Sequence, residues 1–453
     1  MKFKITALVL MMSLGMLTAQ NKKWTLEECV TYAVDHNLSI EQFELNFENA
    51  KIDKSDAIGN FLPSLNSNAS TSERSGLVTN PQTNSIESGQ IFSAQGSINS
   101  SVRLFNGLQN VHQLNRAKLS AIANQYQLDD LKDDIRLGVA NSYLQVLSSK
   151  ESLKVFKAQY AVTEQDLKRT KELVDSGVSP KGDLLEIEAT AANQEQQIVN
   201  AESLVLISRI NLAQLLQITD YENFDIADES FEVPPSNILN NSAKTIFSKA
   251  LEFRNDIKLS ETNVELAKKD VQIANAAKYP TLDAFLSYQT FYSNQFQLIP
   301  DPVTGQFTSF RRDFKDQLWF NDQITYGFQL NIPIFNGFSV KNNIKRSKIN
   351  VERAKVQLEQ DKLALETTIQ QAYVDVTTFL KSYEAAEKTL EARRLAYQYS
   401  KERFDVGLMN SFDFSQAQSR VDNAEADVIR TKYDYIFRLK ILEFYFGIPI
   451  SLN

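Results

Sequence analysis

The spacing of apolar residues along this chain changes in a fixed order: helical, then alternating, then sevenfold. From Thr25 to about Ile58 it is helical, and Thr25-Leu26-Glu27-Glu28 has capping-box form, with Thr25 as N-cap and Glu28 at N3. Pro63 ends that helix, because the residue before a proline is pushed out of the α region. Segments 62–74 and 91–105 then read as a strand pair, joined by a stretch rich in Ser, Asn, Gly and Pro. Next comes a heptad: Val139, Val146, Leu153, Tyr160, Leu167 and Val174 lie seven apart without a miss. A sustained heptad keeps one seam facing a partner helix, the mark of a coiled coil. After a turn at 177–183 the chain returns through Leu184, Ile187, Ala191, Gln194 and Ile198, which step alternately by three and four.

The same order then recurs. Adding 230 to Phe105–Asp183 lands on Phe335–Asp413 with no gap. Phe105-Asn106-Gly107 faces Phe335-Asn336-Gly337, Tyr143 faces Tyr373, and Gly177 and Asp183 face Gly407 and Asp413. The first helices correspond at an offset of 217, Ala33 and Ile40 facing Ala250 and Ile257, so the 13 extra residues fall in the second strand pair. There Tyr326, Phe328, Leu330, Ile332 and Ile334 alternate with mostly polar residues, as in a strand with one apolar face. The second heptad is Ile369, Val376, Tyr383, Leu390, Tyr397 and Phe404. Each copy holds 69 residues without proline, 108–176 and 338–406. As helices these would each measure about 100 Å.

The chain divides accordingly. Residues 1–20 read as a signal peptide: Lys2 and Lys4, an apolar core over about 5–17, then Thr18-Ala19-Gln20. A first repeat covers 21–218: helix, β-hairpin 62–105, long helix 107–176, tip 177–183 and helix 184–218. The acidic, proline-containing segment 219–243 links it to a second repeat at 244–449. That repeat runs helix, β-hairpin 281–335, long helix 337–406, tip 407–413 and helix 414–446.

Composition narrows the function. A net charge of −8 without any Lys/Arg run interleaved with aromatics disfavours nucleic acid. The single cysteine, Cys29, excludes an intramolecular disulfide framework. With His36 and His112 far apart and no Gly-rich phosphate loop, no catalytic, metal or cofactor site is expected, and the chain reads as no enzyme. Outside the N-terminal segment no run of 18 apolar residues occurs, so a membrane crossing would be by β-barrel. Four strands cannot close one alone, since the smallest such barrels have eight. Two chains would supply eight strands and three would supply twelve.

The doubled helix, hairpin and long helix, the strand starts at Pro63 and Pro280, Phe-Asn-Gly at the strand-to-helix junctions, and Gly-(five residues)-Asp at the tips together resemble the TolC family of outer-membrane efflux proteins. The resemblance implies a mainly α fold with a membrane β-barrel. Long antiparallel coiled-coil helices would form an α-barrel in the periplasm, and the two β-hairpins of each chain would contribute to a twelve-stranded barrel of a homotrimer in outer-membrane lipid. It implies the exit duct of a tripartite efflux or type I secretion system, passive and fed by a periplasmic adaptor and an inner-membrane pump of RND, ABC or MFS type. The alternative is a non-conducting coiled-coil spacer of the envelope, which would have no need of paired hairpins.

The tips carry the candidate residues. Asp183 and Asp413 open the returning helices, either as carboxylates favoured by the helix dipole or as a ring narrowing an entrance and favouring cations. The resemblance puts an acidic residue where Asp413 stands and often another three residues on. That place holds Gln416 here and Glu186 in the first copy. Gly177-Val178 and Gly407-Leu408 are the adaptor-docking candidates, with ordinary turn chemistry as the competing reading. Phe105, Asn106, Gly107, Phe335, Asn336 and Gly337 are expected to set the junctions.

Overall fold

The computed structural model describes residues 23–79, 86–228, 233, 236–300, 302–303 and 305–449. The signal peptide expected at 1–20 lies outside them, as do six residues of the linker or its neighbourhood, including Pro234 and Pro235. In chain order the elements are β1 (Lys23–Trp24), α1 (Leu26–His36), α2 (Leu38–Gly59), β2 (Ser64–Thr79), β3 (Ile86–Phe105), α3 (Gln109–Asp175) and α4 (Lys181–Leu215). Then come β4 (Asp225–Ile226), a 3-10 turn (Ile238–Asn240), α5 (Ala243–Phe253), α6 (Asn255–Ala276), β5 (Thr281–Ser293), β6 (Gln297–Pro300) and β7 (Phe307–Phe310). The last are α7 (Phe314–Phe320), β8 (Gln323–Asn331), α8 (Ser339–Asp405) and α9 (Ser411–Phe446). The fold is mostly helical with antiparallel strands, as the periodicities predict. The two long helices, α3 and α8, have 67 residues each.

The chain forms two compact units. One holds residues 47–123 and 261–356, the other 1–46, 124–260 and 357–453. The first unit contains a four-stranded sheet in the order β2-β3-β5-β8, every pair antiparallel. Its β5–β8 ladder runs from Thr281↔Asn331 to Gln289↔Gln323. The alternation extended to Ile334, yet β8 stops at Asn331. Pro333 lacks the N–H that a ladder needs, and pairing ends before it. On β8, Ile324, Tyr326, Phe328 and Leu330 are all exposed, so its apolar stripe faces outward rather than into a core. The extra residues of the second strand pair are occupied by the β6–β7 hairpin and α7.

The second unit is helical. Heptad residues Val139 and Val146 of α3 pack with Ala33 of α1, Leu212 of α4 and Ile436 of α9. Ile369 and Val376 of α8 pack with Ile246 of α5 and Leu439 and Leu442 of α9. Burying each of the valine, leucine and isoleucine side chains among them stabilises the fold by roughly 1.5–3 kcal/mol. The linker is tied in: β4 pairs in parallel with β1, and Phe224 and Ile226 enter the core.

The helices expected over 25–58 and 244–278 are each broken in two. Asn37 and Arg254 adopt extended backbone, with ψ of 122° and 129°. At Asn37 the side-chain Oδ1 accepts from the Ser39 amide at 2.9 Å, which starts α2 afresh. Arg254 is held by carboxylates. No proline or glycine marks either break, so the apolar spacing runs straight through them.

Candidate functional site

Each long helix ends in a turn that the tip glycine makes possible. Gly177 (φ +77°) and Gly407 (φ +75°) take the left-handed conformation that a Cβ disfavours. Around Gly177 the Val178 N–H donates to Leu173 O at 2.9 Å, and around Gly407 the Leu408 N–H donates to Arg403 O at 2.8 Å. These are Schellman closures that satisfy the last carbonyls of the helices. They also turn the next residue outward: Val178 is 72% exposed and Leu408 is 71% exposed.

The two tip aspartates, equivalent in sequence, differ in surroundings. Asp413 is exposed and local: its N–H donates to the N-cap Asn410 Oδ1 at 2.8 Å, and Asn410 Nδ2 donates to its carboxylate at 2.9 Å. Asp183 instead reaches across, accepting from Ser411 Oγ of α9 at 2.7 Å. Glu186 and Gln416 line one groove of about 270 Å³ between α4 and α9, together with Gln194, Phe412, Ser415 and Asp422. The structure therefore gathers Asp183, Glu186 and Gln416 near the α4–α9 contact and leaves Asp413 outside it. The junction residues fall in the other unit. Asn106 Nδ2 donates to Asn110 Oδ1 at 2.7 Å, and Asn110 Nδ2 donates to Asn60 O at 2.8 Å. Phe335 and Phe338 form an exposed edge-to-face pair at 5.7 Å.

Behind the tips the seam of the helical unit is polar. Gln418 Nε2 donates to Thr163 Oγ1 at 2.7 Å, Gln194 Nε2 to Asp422 at 2.8 Å, and Gln159 Nε2 to Glu425 at 2.9 Å. Arg394 of α8 also donates to Glu425, at 2.7 Å. An exposed Arg169–Asp405 pair at 2.7 Å joins α3 to α8. Closer to the tip Phe414 is stacked between Phe404 and Tyr397, at 4.4 and 5.6 Å. The heptad reading missed this layer by following one seam column. A second column, Ser149, Thr163 and Thr170, repeats at multiples of seven and is buried. That spacing was the available signal.

Asp422 is the strained member of the layer. Burial pushes its carboxyl up to about 6, against the Gln194 hydrogen bond, which lowers it, with Glu425 raising it further. A carboxyl raised on folding stabilises the fold at pH below its unfolded value, and that contribution is lost as pH rises through about 6. Asp422→Asn cannot ionise, and its amide could serve Gln194 Oε1, which is buried without a partner among the described residues. The substitution is expected to stabilise the protein by about 1–3 kcal/mol at neutral pH and by little in acid. Thermal midpoints across that pH range check it, and equal shifts at both ends would refute it.

Two long heptad helices with a polar seam behind their tips, and in the same chain an antiparallel sheet whose strand β8 turns an apolar stripe outward, are the features expected of an outer-membrane efflux protein. The profile of the outer membrane efflux protein family matches residues 32–216 and 246–447. The chain belongs to that family, and it is a protein of the outer membrane. The outer membrane protein TolC of Vibrio cholerae is 22% identical over 301 residues, which cover 66% of this chain and 64% of the relative. The pyoverdine export outer membrane protein OpmQ of Pseudomonas aeruginosa is 27% identical over 234 residues, covering 50% and 48%. The chain thus spans about half to two thirds of the length of these two relatives. In fold it is similar to the CmeC outer membrane channel of Campylobacter jejuni, with a TM-score of 0.78 at 19% identity over 94% of this chain and 86% of that one. It is similar also to VceC of Vibrio cholerae, with a TM-score of 0.71 at 16% identity over 94% and 97%.

Proposed function

We propose that this chain is one protomer of a homotrimeric exit duct, passively conducting cargo outward from a periplasmic adaptor and an inner-membrane pump. The observation that carries the reading is the sheet β2-β3-β5-β8. Its outer strands, β2 and β8, each lack a second partner among the described residues, while β8 exposes an apolar stripe. Unpaired backbone groups cost several kcal/mol each in lipid. Neighbouring copies must therefore pair β8 to β2, and head-to-tail contacts of this kind close into a ring. Three copies would give twelve strands.

The element order supports two structural repeats, 21–218 and 244–449, each ending in a helical hairpin. The matched 67-residue helices and the paired tip turns favour it. In this reading the exposed Val178 and Leu408 dock the adaptor, and Asp183, Glu186, Asp413 and Gln416 border the periplasmic entrance. The chemistry asked of them is electrostatic rather than catalytic.

Purified protein reconstituted in a planar bilayer tests the duct. Ion conductance is expected, with a preference for cations that Asp413→Ala reduces. A protein that inserts but passes no current would return the reading to an envelope spacer. Conductance with unchanged selectivity in the variant would leave Asp413 as a first-turn carboxylate beside the N-cap Asn410 only.

A further inference from the structure

We propose that α7, in the connection between β5 and β8, is an interfacial anchor that seats in the phosphate-bearing headgroup layer of the outer leaflet. The inference rests on the membrane-spanning reading of the sheet.

Helix α7 is fastened to β5. The Gln317 side chain continues the ladder past the strand's end: its Oε1 accepts from the Ser293 N–H at 3.0 Å, and its Nε2 donates to Ser293 O at 2.9 Å and to Arg312 O at 2.8 Å. Thr290 Oγ1 donates to Leu318 O at 2.6 Å, and Asn321 Nδ2 donates to Phe291 O at 2.9 Å. The Phe314 ring lies 5.0 Å from Tyr292. A helix held at both ends in this way still leaves Trp319 79% exposed and Phe320 62% exposed. Fixing two large rings outside any core calls for an apolar environment there.

The position of α7 along the sheet says which environment. Helices α2, α3, α6 and α8 join the strands at the Ser64, Phe105, Thr281 and Asn331 ends, so α7 lies at the opposite, outer end. From Gln323 the exposed apolar stripe of β8 begins, and the strand's nine residues are about the length a tilted membrane strand uses. Helix α7 therefore stands where the hydrocarbon band ends, the level at which Trp and other aromatics are enriched. The Arg312 guanidinium lies 3.3 Å from the Phe320 ring centroid, where it can bind phosphate while stacked on the ring. Arg311, Arg312 and Lys315 are balanced by Asp313, Asp316 and Asp322. The rings rather than net charge must hold the seat, so it is expected to resist added salt.

The sequence has two tryptophans, Trp24 and Trp319, so Trp24→Phe leaves Trp319 as sole reporter. The assembled protein is placed in vesicles of phosphatidylethanolamine and phosphatidylglycerol brominated either near the headgroup or near the chain end. At the ~5–10 Å depth of an interfacial helix, shallow bromine is expected to quench Trp319 several-fold more than deep bromine. Unquenched emission overturns the anchor, whether water-like, from a loop in solvent, or blue-shifted, from a ring packed on a neighbouring copy. Should Trp24→Phe fail to fold, the difference between the natural chain and Trp319→Phe gives the same reading. Phe328→Trp, with both native tryptophans replaced by Phe, reports on β8 itself. If it is quenched by deep bromine while Trp319 is unquenched, the anchor alone falls. If neither is quenched, the spanning sheet falls with it.

Discussion

Replacing Arg254 with Met is expected to destabilise the helical unit by about 1–3 kcal/mol, because it leaves half-buried carboxylates without their cation. The Arg254 side chain is only 8% exposed. It grips Asp256 with two bonds, Nε to Oδ1 at 3.2 Å and Nη2 to Oδ2 at 2.9 Å, and reaches Asp130 at 3.4 Å. The rings of Phe444 and Tyr445 lie 5.5 and 5.6 Å from it, which keeps water from substituting. Even with the guanidinium present, burial raises the Asp130 carboxyl to about 6, with Asp256, Asp134 and Asp133 adding to the rise. Asp134 is raised as well, again chiefly by burial. Removing the cation lifts these carboxyls further, and a raised carboxyl loses its stabilising share as pH rises through its folded value. The deficit of the variant is therefore expected to grow from acid towards pH above 6, and Asp130→Asn in the same chain should recover part of it. Thermal midpoints of the detergent-solubilised protein measure both effects. A deficit independent of pH would mean that lost packing on Phe444 and Tyr445, not uncompensated charge, sets the cost.

Arg254 also marks where sequence reasoning stops. The sevenfold spacing of Val139 and Val146, and of Ile369 and Val376, was legible because period alone carries it, and these residues are fully buried. The strands were legible from alternation on β8 and from the prolines before β2 and β5. The helix breaks at Asn37 and Arg254 were not read, because the apolar spacing runs through both; Asn37 carries a local mark, an N-capping side chain on Ser39, but Arg254 depends on a distant partner. Arg254 is held by Asp130, 124 positions away in the chain. The polar layer was half legible. Its buried Ser and Thr column repeats on α3, but which glutamine meets which acid depends on the register of α4 and α9. The same limit separates the two tip aspartates. Both follow a tip glycine by six residues, yet only Asp183 reaches another helix, through Ser411, a contact that neither copy's own sequence contains.

The two Phe-Asn-Gly junctions are expected to respond differently to one substitution, Gly→Val, with Gly107→Val destabilising the fold by roughly 2–5 kcal/mol and Gly337→Val abolishing assembly. Both glycines have positive φ, +65° and +58°, so any side chain costs roughly 1–2 kcal/mol of backbone strain at each. Only Gly107 is also enclosed. A Cβ there would meet Ala276 O at 2.6 Å and Tyr279 Cβ at 2.8 Å. Backbone and near-backbone atoms cannot yield as a side-chain tip can, which adds about 1–3 kcal/mol of overpacking. At Gly337 a Cβ meets open space. In the proposed ring that opening is filled from outside. At the offset of 217, the residues matching Ala276 and Tyr279 are Gly59 and Leu62. Closure of the sheet would bring that corner of the next copy onto Gly337, as α6 packs on Gly107 within the chain. Heat-modifiable migration and crosslinked oligomer on gels separate the outcomes: little folded chain for Gly107→Val, and folded but monomeric chain for Gly337→Val. Normal assembly of Gly337→Val would remove the second junction from the subunit interface, and a stable Gly107→Val protein would contradict the close approach of α6.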